Sequence, residues 1–180
     1  VEKSLAASVL DYIKDESQVG VAAFNTMAYT VWPLSPMDSR YDIEERISRL
    51  RDGGGTDIST GIRKAVDMLG GVKGSNNIIL ISDGVTRAPS EAVNAAESAR
   101  KKGISTFTVG VGKDTSEITM KNIANAGGGH YYQPQQSEKL KILFGEPEED
   151  DMCNEERKKV VIMEPNHFVT QGLEVDAVLT

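Results

Sequence analysis

One cysteine, Cys153, stands in a chain of 180 residues. That excludes an internal disulfide framework and a zinc site built on cysteine pairs, and it leaves the redox compartment undetermined. No apolar run approaches the ~18–20 residues of a membrane span, so no segment here is expected to cross a bilayer. No secretory leader is recognisable either, because Val1 to Leu10 already reads as mature helix. Localisation stays open, and membrane association of a longer parent protein is compatible with this. A basic excess is also missing: 20 Lys and Arg face 27 Asp and Glu, for a net charge of −7. The whole excess lies in Glu146, Glu148, Glu149, Asp150, Asp151, Glu155 and Glu156, a strip with no base inside it. A neutral body with one acidic strip is not built to hold phosphate backbones, so nucleic acid is not an expected partner. The strip reads as a solvated linker. There is no internal repeat and no further low-complexity tract.

What is present is the material of a globular core. Hydrophobic residues make up 39% of the chain, and 17 glycines bring the apolar share close to that of ordinary globular proteins. Helical spacing of Leu5, Val9, Tyr12 and Ile13 predicts a first helix over Val1 to Lys14. Val19–Phe24 is short and almost wholly apolar, as a strand covered on both faces should be. Ala28–Leu34 reads as a second strand closed by Pro33 and Pro36. A helix carrying Ile43, Ile47 and Leu50 is expected to stop at Gly53-Gly54-Gly55, and another spans Ile58 to Leu69. Asn77–Ser82 is a buried strand, Pro89–Lys102 an alanine-rich helix, Ile104–Val111 a strand and Ser116–Ala126 a helix. After Gly127-Gly128-Gly129 come a short edge strand, His130–Gln133, and a helix over Ser137–Phe144. Lys159–Met163 reads as a last strand. Strands alternating with long helices predict an α/β class: a Rossmann-like, doubly wound, mostly parallel sheet with helices on both faces.

Ligands of such sheets bind at the carboxyl ends of the strands. Two loops there carry suggestive polar groups. In Gly53-Gly54-Gly55-Thr56-Asp57 the glycines would let the backbone approach a ligand, and Thr56 is placed to cap the next helix. In Ile81-Ser82-Asp83-Gly84 the carboxylate of Asp83 follows a buried strand. It could ligate a hard cation, or simply close a turn. His130 beside Tyr131 and Tyr132, and Trp32 in the second strand, read as packed edge residues rather than as ligands. The six methionines form no stripe.

Together these motifs resemble the von Willebrand factor A family. Its threonine after a glycine-rich turn corresponds to Thr56, and its apolar-strand-Asp-Gly motif to Ile78-Ile79-Leu80-Ile81-Ser82-Asp83-Gly84. Val19–Phe24 resembles that family's second strand and Ile104–Gly112 its fifth. Gly127-Gly128-Gly129-His130-Tyr131-Tyr132 resembles its closing turn and strand. The resemblance covers Val1 to about Phe144 and implies a protein-interaction module with a metal-ion-dependent adhesion site. It further implies Mg²⁺ or Mn²⁺ as the ion and a partner's acidic side chain as its ligand. One departure is large. The family's Asp-x-Ser-x-Ser motif, at the end of a central first strand, is absent, and Asp15-Glu16-Ser17 is no substitute. Of the side chains that hold the ion, only Thr56 and Asp83 carry over, so these residues are expected to bind metal weakly or not at all.

The tail Pro165–Leu173 resembles the His-x-hydrophobic-Thr-x-Gly-Leu stretch of glutamine-amidotransferase-like domains. This implies an interior piece of a larger prokaryotic protein: a module over 1–144, an acidic linker over 145–158, and from 159 to 180 a strand leading into the next region. Rival functions are a metal-free structural module of such a protein and a Mg²⁺-dependent hydrolase. Phosphatase chemistry of the haloacid-dehalogenase type fails, because Ile81 stands where the nucleophilic Asp is needed. A phosphate-binding loop fails for want of Gly-Lys-Ser/Thr, and a receiver domain for want of acids at Phe24-Asn25. No nucleophile elbow accompanies His130 or His167, so an enzyme is not expected. A sheet without its central strand leaves a slot of unpaired backbone that must be filled. Lys159–Met163 is the candidate, within the chain or by strand exchange in a homodimer.

Overall fold

The computed structural model describes residues 9, 10, 13, 17–50, 54–83, 85–112 and 116–133, together with the backbone of 159–165. Six strands form one sheet: β1 (Gln18–Phe24), β2 (Ala28–Pro36), β3 (Asn76–Ser82), β4 (Ile104–Gly110), β5 (Gly128–Tyr132) and β6 (Lys159–Pro165). Their spatial order is β2-β1-β6-β3-β4-β5. Only β1 and β2 pair antiparallel; the pairs β1–β6, β6–β3, β3–β4 and β4–β5 are all parallel. The helices bounded within the described residues are α1 (Arg40–Ser48), α2 (Ile58–Leu69), α3 (Pro89–Lys101) and α4 (Glu117–Gly127), and Val9 and Leu10 are also helical.

Alternation along β3 explains the layers. Ile78 and Leu80 pack with Ile58, Ile62 and Leu69 of α2, the alanines of α3, and Met120 and Ile123 of α4. Ile79 and Ile81 point the other way, toward Ile43 and Ile47 of α1 and toward Val9, Leu10 and Ile13. A strand buried on both faces has no room for a polar alternation, which is why Ile78-Ile79-Leu80-Ile81 is continuous. The doubly wound reading of the sequence therefore holds.

Several element ends differ from expectation. Pro33 does not close β2, which runs on to Pro36. β2 is an edge strand, where a missing N–H on the open side breaks no ladder, and the register with β1 shifts around this point. α1 ends at Ser48, well before the glycines that were expected to stop it. Gly127 completes α4, and Gly128 and Gly129 already belong to β5. Most of the first helix, the 137–144 helix, the acidic strip and the tail from 166 onward lie outside the described residues.

The slot is filled. β6 pairs with β1 from Gln18↔Lys159 to Phe24↔Pro165 and with β3 from Asn76↔Lys159 to Leu80↔Met163. It occupies the central place that the resemblance assigns to a first strand, and α2 packs over β1 and β6.

Candidate functional site

All the parallel strands point their carboxyl ends at one crest, and three loops meet there. The first is the turn between β1 and β2. The side chain of Asn25 accepts the N–H of Met27 at 2.9 Å, and the N–H of Asn25 donates to the Met27 carbonyl at 2.9 Å. The second is the turn before α2, whose Asp57 N–H donates to the Asn25 carbonyl at 2.8 Å. The third is the loop after β3, in which the Arg87 N–H donates to the Thr56 carbonyl at 3.1 Å. The Asp83 carbonyl in turn accepts the N–H of Ser116, ahead of α4, at 2.8 Å. Backbone hydrogen bonds thus hold Thr56 and Asp83 on neighbouring loops.

Thr56 does not cap α2, as the sequence had suggested. The cap is Asp57, whose carboxylate accepts the Ser59 N–H at 3.0 Å and the Ser59 hydroxyl at 2.7 Å. This frees the Thr56 side chain. It is 6% exposed, and its hydroxyl has no hydrogen-bond partner among the described residues. Asp83 is partly exposed, and one of its carboxylate oxygens accepts the Val85 N–H at 3.0 Å. It therefore closes a turn, yet a carboxylate has capacity for further partners.

Gly55 was expected to let a ligand approach. Its close neighbour is instead the Arg87 guanidinium of the same chain, which a Cβ at Gly55 would strike. Arg87 is exposed and its guanidinium forms no ion pair among the described residues. Met27 and Val85, also on the crest, are 73% and 51% exposed. These three were not legible in the sequence; only the position of Arg87, just past the Asp83-Gly84 turn, could have drawn attention to it. His130 is exposed on edge strand β5, its ring 6.4 Å from Phe107 and 6.5 Å from Tyr132. Trp32 packs as expected, with Nε1 donating to Ser35 at 2.7 Å and the Arg46 guanidinium 5.2 Å above its ring.

The chain is a von Willebrand factor type A domain. That family matches residues 3–146. Among curated proteins, the collagen alpha-1(XXI) chain of Xenopus laevis is 29% identical over 119 residues, which is 64% of this chain but 12% of the collagen. An aerotolerance-related membrane protein from Bacteroides fragilis superposes with a TM-score of 0.70 at 21% identity, covering 79% of this chain and 83% of that one. Proximal thread matrix protein 1 of the mussel byssus, with a zinc-occupied MIDAS motif, gives 0.66 at 20% identity, covering 79% and 38%. Both likenesses show the fold. The tail resemblance to amidotransferase-like domains falls beyond both the family match and the described residues.

For a von Willebrand A domain the donor set is short. On these loops the described residues offer the Thr56 hydroxyl and the Asp83 carboxylate, and among the described residues no group of three or more His, Cys, Asp or Glu could hold a metal ion. Mg²⁺ wants near-octahedral oxygen and sheds water reluctantly. No described helix is long and apolar enough to cross a membrane.

Proposed function

We propose that this von Willebrand A domain is a protein-recognition module, not an enzyme, and that its crest of Thr56, Asp83, Arg87, Met27 and Val85 receives an acidic side chain of a protein partner. The observation that carries this reading is the backbone bond from Arg87 to Thr56, which ties the loop of Asp83 to the loop of Thr56, whose hydroxyl makes no hydrogen bond among the described residues. Exposed apolar side chains at Met27 and Val85 flank it, as a contact rim would. Mg²⁺ or Mn²⁺ binds here weakly, through Thr56 and Asp83 with most of its water retained. The exposed Arg87 guanidinium adds a cationic contact for the partner's carboxylate. We read 1–144 as the module, 159–165 as its sixth strand, and 145–158 as the linker between them.

The test is calorimetric titration with MgCl₂ and MnCl₂ on the intact chain, on Thr56→Val and on Asp83→Ala. The expected result is at most millimolar affinity, lost in Asp83→Ala. Micromolar affinity abolished by Asp83→Ala would overturn the weak-site reading. For the partner, a glutamate-containing peptide titrated into labelled protein should shift the amides of Thr56, Val85 and Arg87 with or without EDTA. Shifts confined to other surfaces would overturn the crest as the recognition face. A metal-free structural module is the second reading, favoured by the bond from Val85 to Asp83; it predicts no crest shifts with either ion or peptide.

A further inference from the structure

A cavity of about 480 Å³ lies at the opposite end of the sheet from the crest. That size falls within the range that holds small molecules. Among the described residues its walls come from the last turn of α2, the turn that follows, the start of β3 and the junction of α3 with β4. The apolar part of the lining is Val66, Leu69 and Ile104, each less than a tenth exposed. No crest residue takes part in it.

Two opposite charges line this cavity without being spent on each other. Asp67 and Lys102 are both exposed. Neither side chain makes an ion pair or a hydrogen bond among the described residues. The preceding residue behaves differently: Lys101 pairs with Glu97 at 2.7 Å. Asp67 also stands at the unfavourable end of its helix. The carboxyl end of α2 is the negative end of its dipole, and its last turn carries no base to offset it. Asn76 adds a further acceptor to the same wall. Its Nδ2 donates to the Val72 carbonyl at 2.9 Å, which fixes the orientation of the amide. Its Oδ1 is buried with no donor among the described residues, and leaving an acceptor in that state is costly.

The wall around Asp67 therefore favours a cationic donor, whereas Lys102 favours an anion. The apolar lining favours an aliphatic group. A bare polyamine would meet Lys102 as a like charge, and a fatty carboxylate would meet Asp67 as one. A small zwitterion with an aliphatic arm satisfies all three demands. We propose that this cavity is a binding site for a free aliphatic α-amino acid. Its ammonium faces Asp67, the carboxyl end of α2 and Asn76, its carboxylate faces Lys102, and its side chain covers Val66, Leu69 and Ile104. The site is separate from the crest, so this inference does not depend on the reading of the crest as a recognition face.

The test is a titration of the isotope-labelled full chain with L-leucine, followed through the amides of Gly70, Gly71, Val72 and Ile104. Saturable shifts at these amides in the millimolar range are expected. N-acetyl-L-leucine lacks the ammonium and L-leucine methyl ester lacks the carboxylate. Each should bind at least about tenfold more weakly, the scale of losing one charge-assisted hydrogen bond. Asp67→Asn and Lys102→Gln should each cause the same loss for leucine itself. Both positions are exposed, so an unchanged Tm confirms that the variants fold. Equal affinity for leucine and for both blocked analogues would overturn the proposal. So would the absence of shifts at these amides up to saturation of the leucine solution, or undiminished binding in both variants.

Discussion

The N–H of Arg87 donates to the carbonyl of Thr56 at 3.1 Å, and this one bond hangs the loop after β3 from the turn before α2. It fixes Asp83 and Thr56 on adjacent loops without using either side chain. The Thr86 hydroxyl reinforces it at the same carbonyl, at 3.4 Å. Backbone bonds thus tie the two crest loops together, and the Asp83 carboxylate also accepts the Val85 N–H at 3.0 Å.

Asp57 and Thr56 should separate stability from binding. Asp57 caps α2 through Ser59, so Asp57→Ala should cost about 1 kcal/mol. That corresponds to a Tm lower by about 2–4 °C for a chain of this size. Thr56→Val removes a hydroxyl that bonds nothing described, so its Tm should stay within about 1 °C of the parent or rise. The same variant should lose whatever affinity for Mn²⁺ the chain has. Thermal melts with and without 10 mM-range Mn²⁺, on the order of the expected affinity, check both halves.

Two glycines with equally crowded Cβ positions should respond in opposite ways. At Gly55 the obstacle is the far end of the Arg87 side chain, which can swing away. Gly55→Ala should therefore cost less than about 1 kcal/mol. At Gly129 the obstacle is the carbonyl of Thr106 in the middle of β4, which cannot move without disrupting the sheet. Gly129→Ala should cost about 3 kcal/mol, at the upper end for overpacking. Urea midpoints of the two variants decide the matter.

The fold was legible because its signals are backbone signals. The continuous run Ile78–Ile81 can only be a strand covered twice, and Ile58–Leu69 carries its apolar residues at helical spacing up to a glycine stop. The central place of β6 followed from the same logic, since an apolar strand and an unfilled slot imply each other. The site was only partly legible. Which of Thr56 and Asp57 caps α2 depends on one turn of backbone, φ −127° and ψ 90° at Asp57, which composition does not encode. Arg87 over Gly55 is a contact across 32 positions of sequence, invisible without the loop that creates it. Pro33 misled for a related reason: its effect depends on whether the strand is an edge, which is a property of the sheet and not of the strand.

Thr106 and Thr108 lie on β4, both fully buried, with opposite hydrogen-bond status. The Thr106 hydroxyl has no partner among the described residues, whereas that of Thr108 donates to the Met120 carbonyl at 3.0 Å. Thr106→Val should raise stability by about 1 kcal/mol, because a stranded buried hydroxyl is removed. Thr108→Val should lower it by about 1 kcal/mol through loss of its bond to α4. Parallel melts of the two variants should move in opposite directions.

Burial pushes the Tyr132 phenol above its ordinary value. Its neutral form is therefore favoured in the folded state. The contribution is fully present below the unfolded pKa of about 10 and is lost as pH rises through the folded value. Alkaline unfolding should be eased in Tyr132→Phe, whose stability should fall less between about pH 9.5 and 11 than that of the parent. Equal slopes in both would show that Tyr132 plays no part.

Val161 is the sharpest probe of the central strand. It sits opposite Gly20 on β1 and Ile78 on β3, so its backbone faces a neighbour on each side. A proline there removes the N–H and forces the ring against an adjacent strand, an arrangement central strands do not tolerate. Pro33 provides the internal comparison: β2 accommodates it, because one side of that strand is open. Val161→Pro should therefore cost at least about 3 kcal/mol, the scale of a proline inside a regular element. The loss should reach both sheet halves, because neither β2-β1 nor β3-β4-β5 is complete alone. Hydrogen exchange reads this directly. Amides of β1 and β3 that are protected in the parent should exchange together in Val161→Pro, while an equivalent proline at Tyr29, on edge strand β2, should leave those of β3 protected. Unchanged protection in Val161→Pro would mean that the strand between β1 and β3 is not this one.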